Sequence, residues 1–263
     1  MPIASLDDYI SSNKQYLNFC KVSTRTAVLG QPFSVFDLAG ATGAGVLAGT
    51  NAVNGFIPTD ASAGYPDMTT FTTGAHGYLS RVISTNSVAC RISIVDRLWV
   101  AGTHAYNANV TYTAQPSYAS RVPSGDYSGL KILVECVTAI NGSPSFNVSY
   151  INQAGEAKST GATAVGGTMT VGRLFEIALA PGDTGVQRIN SIVGSGGSSG
   201  TFNLSVVRPL WDGRVAFAND GDNQDMLRTG MPEVFDLSAL YMIVTPDTTN
   251  TGTVSLSLEI ASK

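Results

Sequence analysis

The sequence predicts an all-β protein, an antiparallel jelly roll or β-sandwich with one short N-terminal helix. Three segments alternate between apolar and polar residues: Phe146–Ile151, Phe202–Val206 and Val254–Ile260. Such alternation gives a strand one apolar face and one wet face, which is typical of antiparallel sheets. Turn-forming residues separate these segments, and the chain contains 28 glycines. Many short strands joined by such turns favour a sandwich or a jelly roll.

The N-terminus predicts a helix or arm over residues 1–20. Ser5 is a suitable N-cap, and Asp8 follows three residues later, as in a capping box. Apolar residues then recur at helical spacing and form a narrow stripe. Two interpretations stay open: the helix is a lid on the core, or it is an arm that docks on a neighbouring subunit. The candidate interface residues are Leu6, Tyr9, Ile10, Tyr16 and Leu17.

Further apolar runs rich in β-branched residues predict more strands. They are Gln31–Leu38, Tyr78–Ser84, Ala89–Val95 and Leu130–Val137. Asn141-Gly142 follows the last of these and is a strong turn signal. A second helical turn is expected near Asp222–Leu227.

Glycine-rich segments predict two loops. Residues 38–54 read as a flexible loop, and residues 193–200 (VGSGGSSG) read as a linker or hairpin tip. The domain organisation predicted is an arm at residues 1–20 and one β-domain at residues 21–263. Prolines and a glycine make residues 115–128 the candidate for an internal break.

Composition limits the function classes. Charged residues make up 13% of the chain, against an ordinary share of about 25%, and the net charge is −4. Without a basic cluster we expect no nucleic-acid partner, and without a long apolar run or a signal-like N-terminus we expect no membrane association and no secretory leader. Cys20, Cys90 and Cys136 are too few and too dispersed for a disulfide framework, so they predict buried thiols in a protein made in a reducing cytosol.

Two short motifs match enzyme signatures without the context that those signatures need. Residues 43–48 fit a relaxed dinucleotide fingerprint, but no helix or βαβ unit is predicted after them. Residues 196–200 fit G-x-S-x-G, but a nucleophile elbow needs a strand-to-helix turn and a later histidine. Both His76 and His104 precede this segment. We therefore expect no enzyme activity and no cofactor.

Acidic, histidine and aromatic residues offer only weak binding candidates. Asp220, Asp222 and Asp225 are candidate calcium ligands, but their spacing departs from an EF-hand, and a solvated turn is the simpler interpretation. His76 and His104 lack a zinc-site pattern and are expected in loops or at edges. A sugar-stacking platform and a packed core are both open for the larger aromatic residues. Those residues are Trp99, Trp211, Tyr106, Tyr112 and Tyr118.

The opening MPIASLDDYISSNKQ and the long Gly/Ser/Thr/Ala-rich β region after it resemble tailed-bacteriophage virion structural proteins. The chain is most similar to a capsid decoration (cement) protein or a minor capsid protein. That resemblance implies a β-sandwich or jelly roll that assembles as a homotrimer and contacts the major capsid protein. It also implies synthesis in the host cytoplasm and a place on the capsid surface. The alternatives are a carbohydrate- or receptor-binding β-module of a phage fibre or adhesin, and a tail or neck component.

Overall fold

The computed structural model describes residues 3–48 and 51–263. The helices in that part of the chain are α1 (Leu6–Ser11) and α2 (Met226–Thr229), with short 3-10 helices at Ala119–Arg121 and Pro123–Gly125. The strands are β1 (Asn13–Lys21), β2 (Phe33–Ser34), β3 (Gly40–Ala41), β4 (Asn51–Phe56), β5 (Gly77–Asn86), β6 (Cys90–Ala105), β7 (Asn109–Thr111), β8 (Lys131–Asn152), β9 (Ala157–Ser159), β10 (Thr163–Ala164), β11 (Leu174–Ile177), β12 (Val186–Val215), β13 (Asp220–Gln224), β14 (Glu233–Val234), β15 (Leu240–Pro246) and β16 (Val254–Ser262). None of the described helices is long and apolar enough to cross a membrane.

Strand pairing confirms the predicted all-β, antiparallel class. The long ladders β1–β16, β5–β16, β8–β12 and β6–β15 are all antiparallel. Strands β5, β6, β8, β12 and β16 coincide with five of the predicted segments, all of which lie wholly within a strand except for Ala89, the residue before β6. Those segments are Tyr78–Ser84, Ala89–Val95, Phe146–Ile151, Phe202–Val206 and Val254–Ile260.

The chain divides into two compact units. The first comprises residues 1–45, 59–96 and 210–263, and the second comprises residues 46–58 and 97–209. Two of the boundaries fall inside strands β6 and β12. The predicted break at residues 115–128 lies wholly within the second unit, in the segment that carries the 3-10 helices.

The first unit is a β-sandwich. One sheet has the order β13-β5-β16-β1-β3, with β14 added to β5. Alternate residues of its strands, such as Leu17, Val82 and Leu258, are buried in one core with Ile92 of β6 and Val244 of β15. Burial of a large aliphatic side chain contributes about 1.5–3 kcal/mol. This shared core therefore holds the sheet against the second layer, to which β6 and β15 belong.

The second unit is built around the long pair β8–β12. On its other edge β8 pairs with β9, β10 and β11, while β12 also pairs with β7. Phe146, Val148 and Tyr150 of β8 are completely buried and pack with Ile192 and Phe202 of β12. Polar residues alternate with these, so the opposite face of the same strands is wet.

The glycine-rich segment 193–200 is neither a linker nor a hairpin tip, and that prediction is wrong. It lies inside β12 and pairs with β8 through repeated register shifts. A Cβ on Gly194 would lie 2.2 Å from the Tyr106 carbonyl oxygen, and one on Gly200 would lie 2.3 Å from that of Ala139. The glycines are therefore needed for close backbone approach, not for flexibility.

Asn141-Gly142 does not form a hairpin turn either. Both residues lie within β8, so the predicted strands on either side of them are halves of one strand. Gly142 has a φ of +91° and pairs with Gly197, next to a register shift. A dipeptide that tolerates positive φ here serves a β-bulge.

The predicted N-terminal helix is too long. Ser5 and Asp8 form the expected capping box, with the Asp8 amide donating to Ser5 Oγ at 3.1 Å. The helix ends at Ser11, and β1 begins two residues later. Leu17 and Phe19 are buried as alternate strand residues. A period of two overlaps the helical spacing in this segment, and sheet pairing with β16 decides between them.

Three shorter predictions need correction. Only Phe33–Ser34 of Gln31–Leu38 forms a ladder, because the Phe36 amide turns back to Ser34 Oγ. Helix α2 is shorter than expected, since Asp225 caps it and Asp222 lies in β13. Strand β3 falls within the predicted loop 38–54, and β4 begins inside that loop. Residues 1, 2, 49 and 50 of the predicted helix and loop lie outside the described residues.

Candidate functional site

The wet face of the second unit's sheet is a candidate interaction surface, which we call the serine face. Its rows follow from the register: Ser191 lies opposite Ser149 and Thr111, Val193 opposite Asn147 and Asn109, and Ser195 opposite Ser145. Ser159 of β9 lies opposite Ser149. The serine face thus consists of Asn109, Thr111, Ser145, Asn147, Ser149, Ser159, Ser191, Val193 and Ser195.

None of these nine residues carries a charge, and all have short side chains. Their polar groups bond locally, as where Ser159 Oγ donates to Asn147 Oδ1 at 2.8 Å. Val193 lies near the centre of the face and is 41% exposed. A partner can cover such a surface without desolvating an ion, which is the costly part of burying polar surface.

The candidate interface residues of the N-terminus fall in three different environments. Leu6, Ile10 and Tyr16 are largely exposed. Tyr9 is half-buried and donates to Glu259, whereas Leu17 lies in the first unit's core. Helix α1 buries none of its residues, so polar bonds attach it to the sheet. A role for these residues in an interface stays a prediction.

Glu259 of β16 is the centre of that attachment. Tyr9 Oη donates to Glu259 Oε1 at 2.6 Å, and Ser80 Oγ donates to the same oxygen at 2.7 Å. Burial by itself would raise the pKa of Glu259, but these hydroxyl donors lower it below its ordinary value. The bond to Glu259, together with burial, raises the pKa of Tyr9 to about 12. The sequence offered no signal for this cluster, since its members are far apart in the chain.

We expect the docking of α1 to be lost in acid. The Lys263 ammonium donates to Asp8, and this bond, with those from Ser5 and the Ala4 amide, lowers the pKa of Asp8 to about 2. An acid whose pKa is lowered by folding stabilises the docked state above its ordinary pKa of 3.8 and loses that effect as the pH falls towards 2. The protection of the Tyr9 amide from hydrogen exchange, measured relative to the intrinsic rate at each pH, should therefore fall over this range, since this amide donates to Ser5 O.

The Leu258 amide in β16 serves as the internal control for that measurement, and Asp8→Asn should remove much of the acid step. Protection of the Tyr9 amide that is unchanged down to pH 2 would contradict the assignment.

The three acidic candidates for calcium are engaged separately. Asp225 Oδ1 caps α2, Asp222 pairs with Arg228, and Asp220 Oδ1 accepts from the Gly221 amide. Over residues 3–48 and 51–263 no group of three or more His, Cys, Asp or Glu side chains is placed to hold a metal ion.

The two histidines differ in environment. His76 lies in a loop, half-exposed beside Glu233, as expected. His104 is 3% exposed within β6, and the expectation of a loop or edge position is wrong for it. Its Nε2 lies 2.8 Å from Tyr112 Oη, and burial lowers its pKa to about 4. The ring is therefore a neutral core group.

Most of the large aromatic residues proposed for sugar stacking belong to the cores. Trp99 is 0% exposed and Trp211 is 6% exposed. Trp99 packs edge-on against Tyr112 at 5.1 Å between ring centroids. Tyr118 is also buried, while Tyr106 is partly buried against the second unit's core. Of the two interpretations, core packing therefore holds for the four buried residues, which are Trp99, Trp211, Tyr112 and Tyr118.

Comparisons with known proteins add little. No protein-family model matches the chain, and no curated protein matches it. Among solved structures, that of infectious bursal disease virus Gx strain is 12% identical with a TM-score of 0.21, covering 95% of this chain and 80% of that one. The Gt strain structure is 10% identical with a TM-score of 0.17, covering 95% and 81%. The virus's VP2 subviral particle is 12% identical with a TM-score of 0.18, covering 95% and 80%. TM-scores this low establish no shared fold or function.

Proposed function

We propose that the chain is a non-enzymatic structural protein of a virion. In this proposal it decorates or braces a bacteriophage capsid shell as a homo-oligomer, with a trimer favoured, and its partners are its own copies and the major capsid protein. It is made in the host cytoplasm and ends on the capsid surface. The serine face is the observation that carries this proposal.

The serine face suits repeated close packing of subunits. Its side chains are short, so they lose little conformational entropy when a partner covers them, unlike lysine or glutamate. It carries no charge, so contact with a second uncharged face leaves no ion unpaired. Hydroxyl and amide groups both donate and accept hydrogen bonds, which lets the serine face pair with a different uncharged surface of a neighbouring copy. Contact between two different surfaces of identical chains closes into a ring, such as a trimer, when the rotation between neighbouring copies allows it.

Particles of the virus that encodes the chain provide the direct test. We expect the protein to sediment with assembled shells in a density gradient and to stay with them after washing in high salt, since uncharged contacts are little screened. Recovery of the protein only at the top of the gradient, free of shells that contain the other virion proteins, would overturn the proposal.

A further inference from the structure

The first unit contains a groove that the assembly proposal does not use. Its volume is about 650 Å³, within the usual range of roughly 300–1,000 Å³ for small-molecule sites. Strands β6, β12, β13 and β15 contribute to its lining, together with α2 and the residue that follows β15. We call it the arginine–aspartate groove after its charged residues, which are Arg91, Arg214, Arg228, Asp212, Asp222 and Asp247.

Each arginine of the groove faces an aspartate. Arg91 Nε lies 2.5 Å and 2.7 Å from the two carboxylate oxygens of Asp212, which also accepts from Ser93 Oγ at 3.0 Å. The other two pairs are longer: Arg214–Asp247 at 3.1 Å and Arg228–Asp222 at 3.4 Å. The lining therefore alternates strong donors with strong acceptors.

These ion pairs can exchange partners at low cost. The three arginine side chains are 61–70% exposed. Exposed ion pairs contribute only about 0–1 kcal/mol each, so a ligand that offers equivalent hydrogen bonds can replace them. Bonds to a charged group are about twice as strong as bonds between neutral groups, which favours a ligand able to use both members of a pair.

The floor of the groove is rigid. A Cβ on Gly213 would lie 2.2 Å from the Trp211 ring, so the backbone there rests directly on the buried indole. Trp211 Nε1 donates to Gln224 Oε1 at 2.9 Å and thereby fixes β13, which carries Asp222. A site held in place before binding avoids part of the ordering cost of complex formation.

The lining also defines the chemical class of the ligand. Three arginines and three aspartates balance in charge, which disfavours a strongly anionic or cationic ligand. Among the described residues that line the groove, none is aliphatic or aromatic, so apolar side chains of a peptide find no pocket. Hydroxyl groups donate to carboxylates and accept from guanidinium groups. We infer that the arginine–aspartate groove binds a neutral oligosaccharide.

Saturation-transfer NMR on the full chain tests this inference. The probes are neutral trisaccharides of glucose, galactose, mannose and N-acetylglucosamine, with a sialylated trisaccharide and an Arg/Asp-containing peptide as competing classes. We expect at least one neutral trisaccharide to bind with a Kd of about 1 mM or tighter. Asp212→Asn keeps the shape of the side chain and should weaken that binding at least about tenfold, because the charged acceptor and its ion pair with Arg91 are lost.

Glu176→Gln is the matched control, since Glu176 forms an exposed ion pair with Lys131 in the second unit. It should leave binding unchanged. The inference is overturned if no neutral trisaccharide binds, if only the sialylated sugar or the peptide binds, or if Asp212→Asn binds as the wild type does. It shares no residue with the serine face, so either proposal can fail without the other.

Discussion

Glu135→Ala is expected to lower the free energy of unfolding by about 3–5 kcal/mol, because it leaves a buried guanidinium without its carboxylate. Glu135 is completely buried in β8, and Arg97 Nη2 donates to its Oε2 at 2.7 Å. The same guanidinium also donates to a neutral hydroxyl of β12, Ser205 Oγ, at 2.8–3.0 Å. Urea unfolding followed by the fluorescence of Trp99, in a Trp211→Phe background, measures the loss.

Two variants show whether that loss comes from the unpaired charge. Glu176→Ala removes an exposed carboxylate and should cost no more than about 1 kcal/mol. Replacing both partners, in Arg97→Met with Glu135→Leu, should recover much of the loss, since apolar pairs of similar volume often substitute for buried ion pairs. A loss below about 1 kcal/mol in Glu135→Ala would show that the pair is not the buried link described here.

Val193→Asp is expected to abolish self-association while leaving the fold intact. Val193 is partly exposed near the centre of the serine face, so a carboxylate there is solvated in the free chain. Covering it with a second uncharged face would bury an ion without a partner, at a cost of several kcal/mol. The dissociation constant of the oligomer should rise at least about 100-fold, as measured by sedimentation velocity.

Val53→Asp is the control for this variant. Val53 is also in the second unit, on β4, and is 65% exposed, so the same substitution is made away from the serine face. It should associate as the wild type does. If Val193→Asp remains as associated as Val53→Asp, the serine face is not the contact surface.

The strands were predictable where alternation in the sequence coincides with burial in the fold. In β16, Val254, Leu256 and Leu258 are buried, while Ser255 and Ser257 between them are partly exposed. The capping box of α1 was also readable, because Ser5 and Asp8 need only each other. Local chemistry of this kind requires no knowledge of the rest of the chain.

Other elements depend on distant parts of the chain and were therefore predicted wrongly. The glycines of β12 have the composition of a linker, but in the structure they allow the backbones at Tyr106 and Ala139 to approach closely. Residues 13–21 fit both a helix and a strand until pairing with β16 selects the strand.

The candidate surfaces also depend on residues that are distant in the chain. The serine face could be foreseen in part, because Ser145, Asn147 and Ser149 alternate with buried residues. Its width depends on the register that sets Ser191 opposite Ser149. That register cannot be predicted from the sequence of either strand alone. The arginine–aspartate groove gave no local signal as a whole: Arg228 and Asp222 are close in the chain, but Arg91 and Asp212 are 121 positions apart.

The molar mass of the purified chain, measured by light scattering coupled to size exclusion over a range of concentrations, tests the assembly proposal most directly. We expect a mass near three times 27.4 kDa, independent of salt and lost in Val193→Asp. A wild-type chain that stays at 27.4 kDa at every concentration would contradict assembly through the serine face.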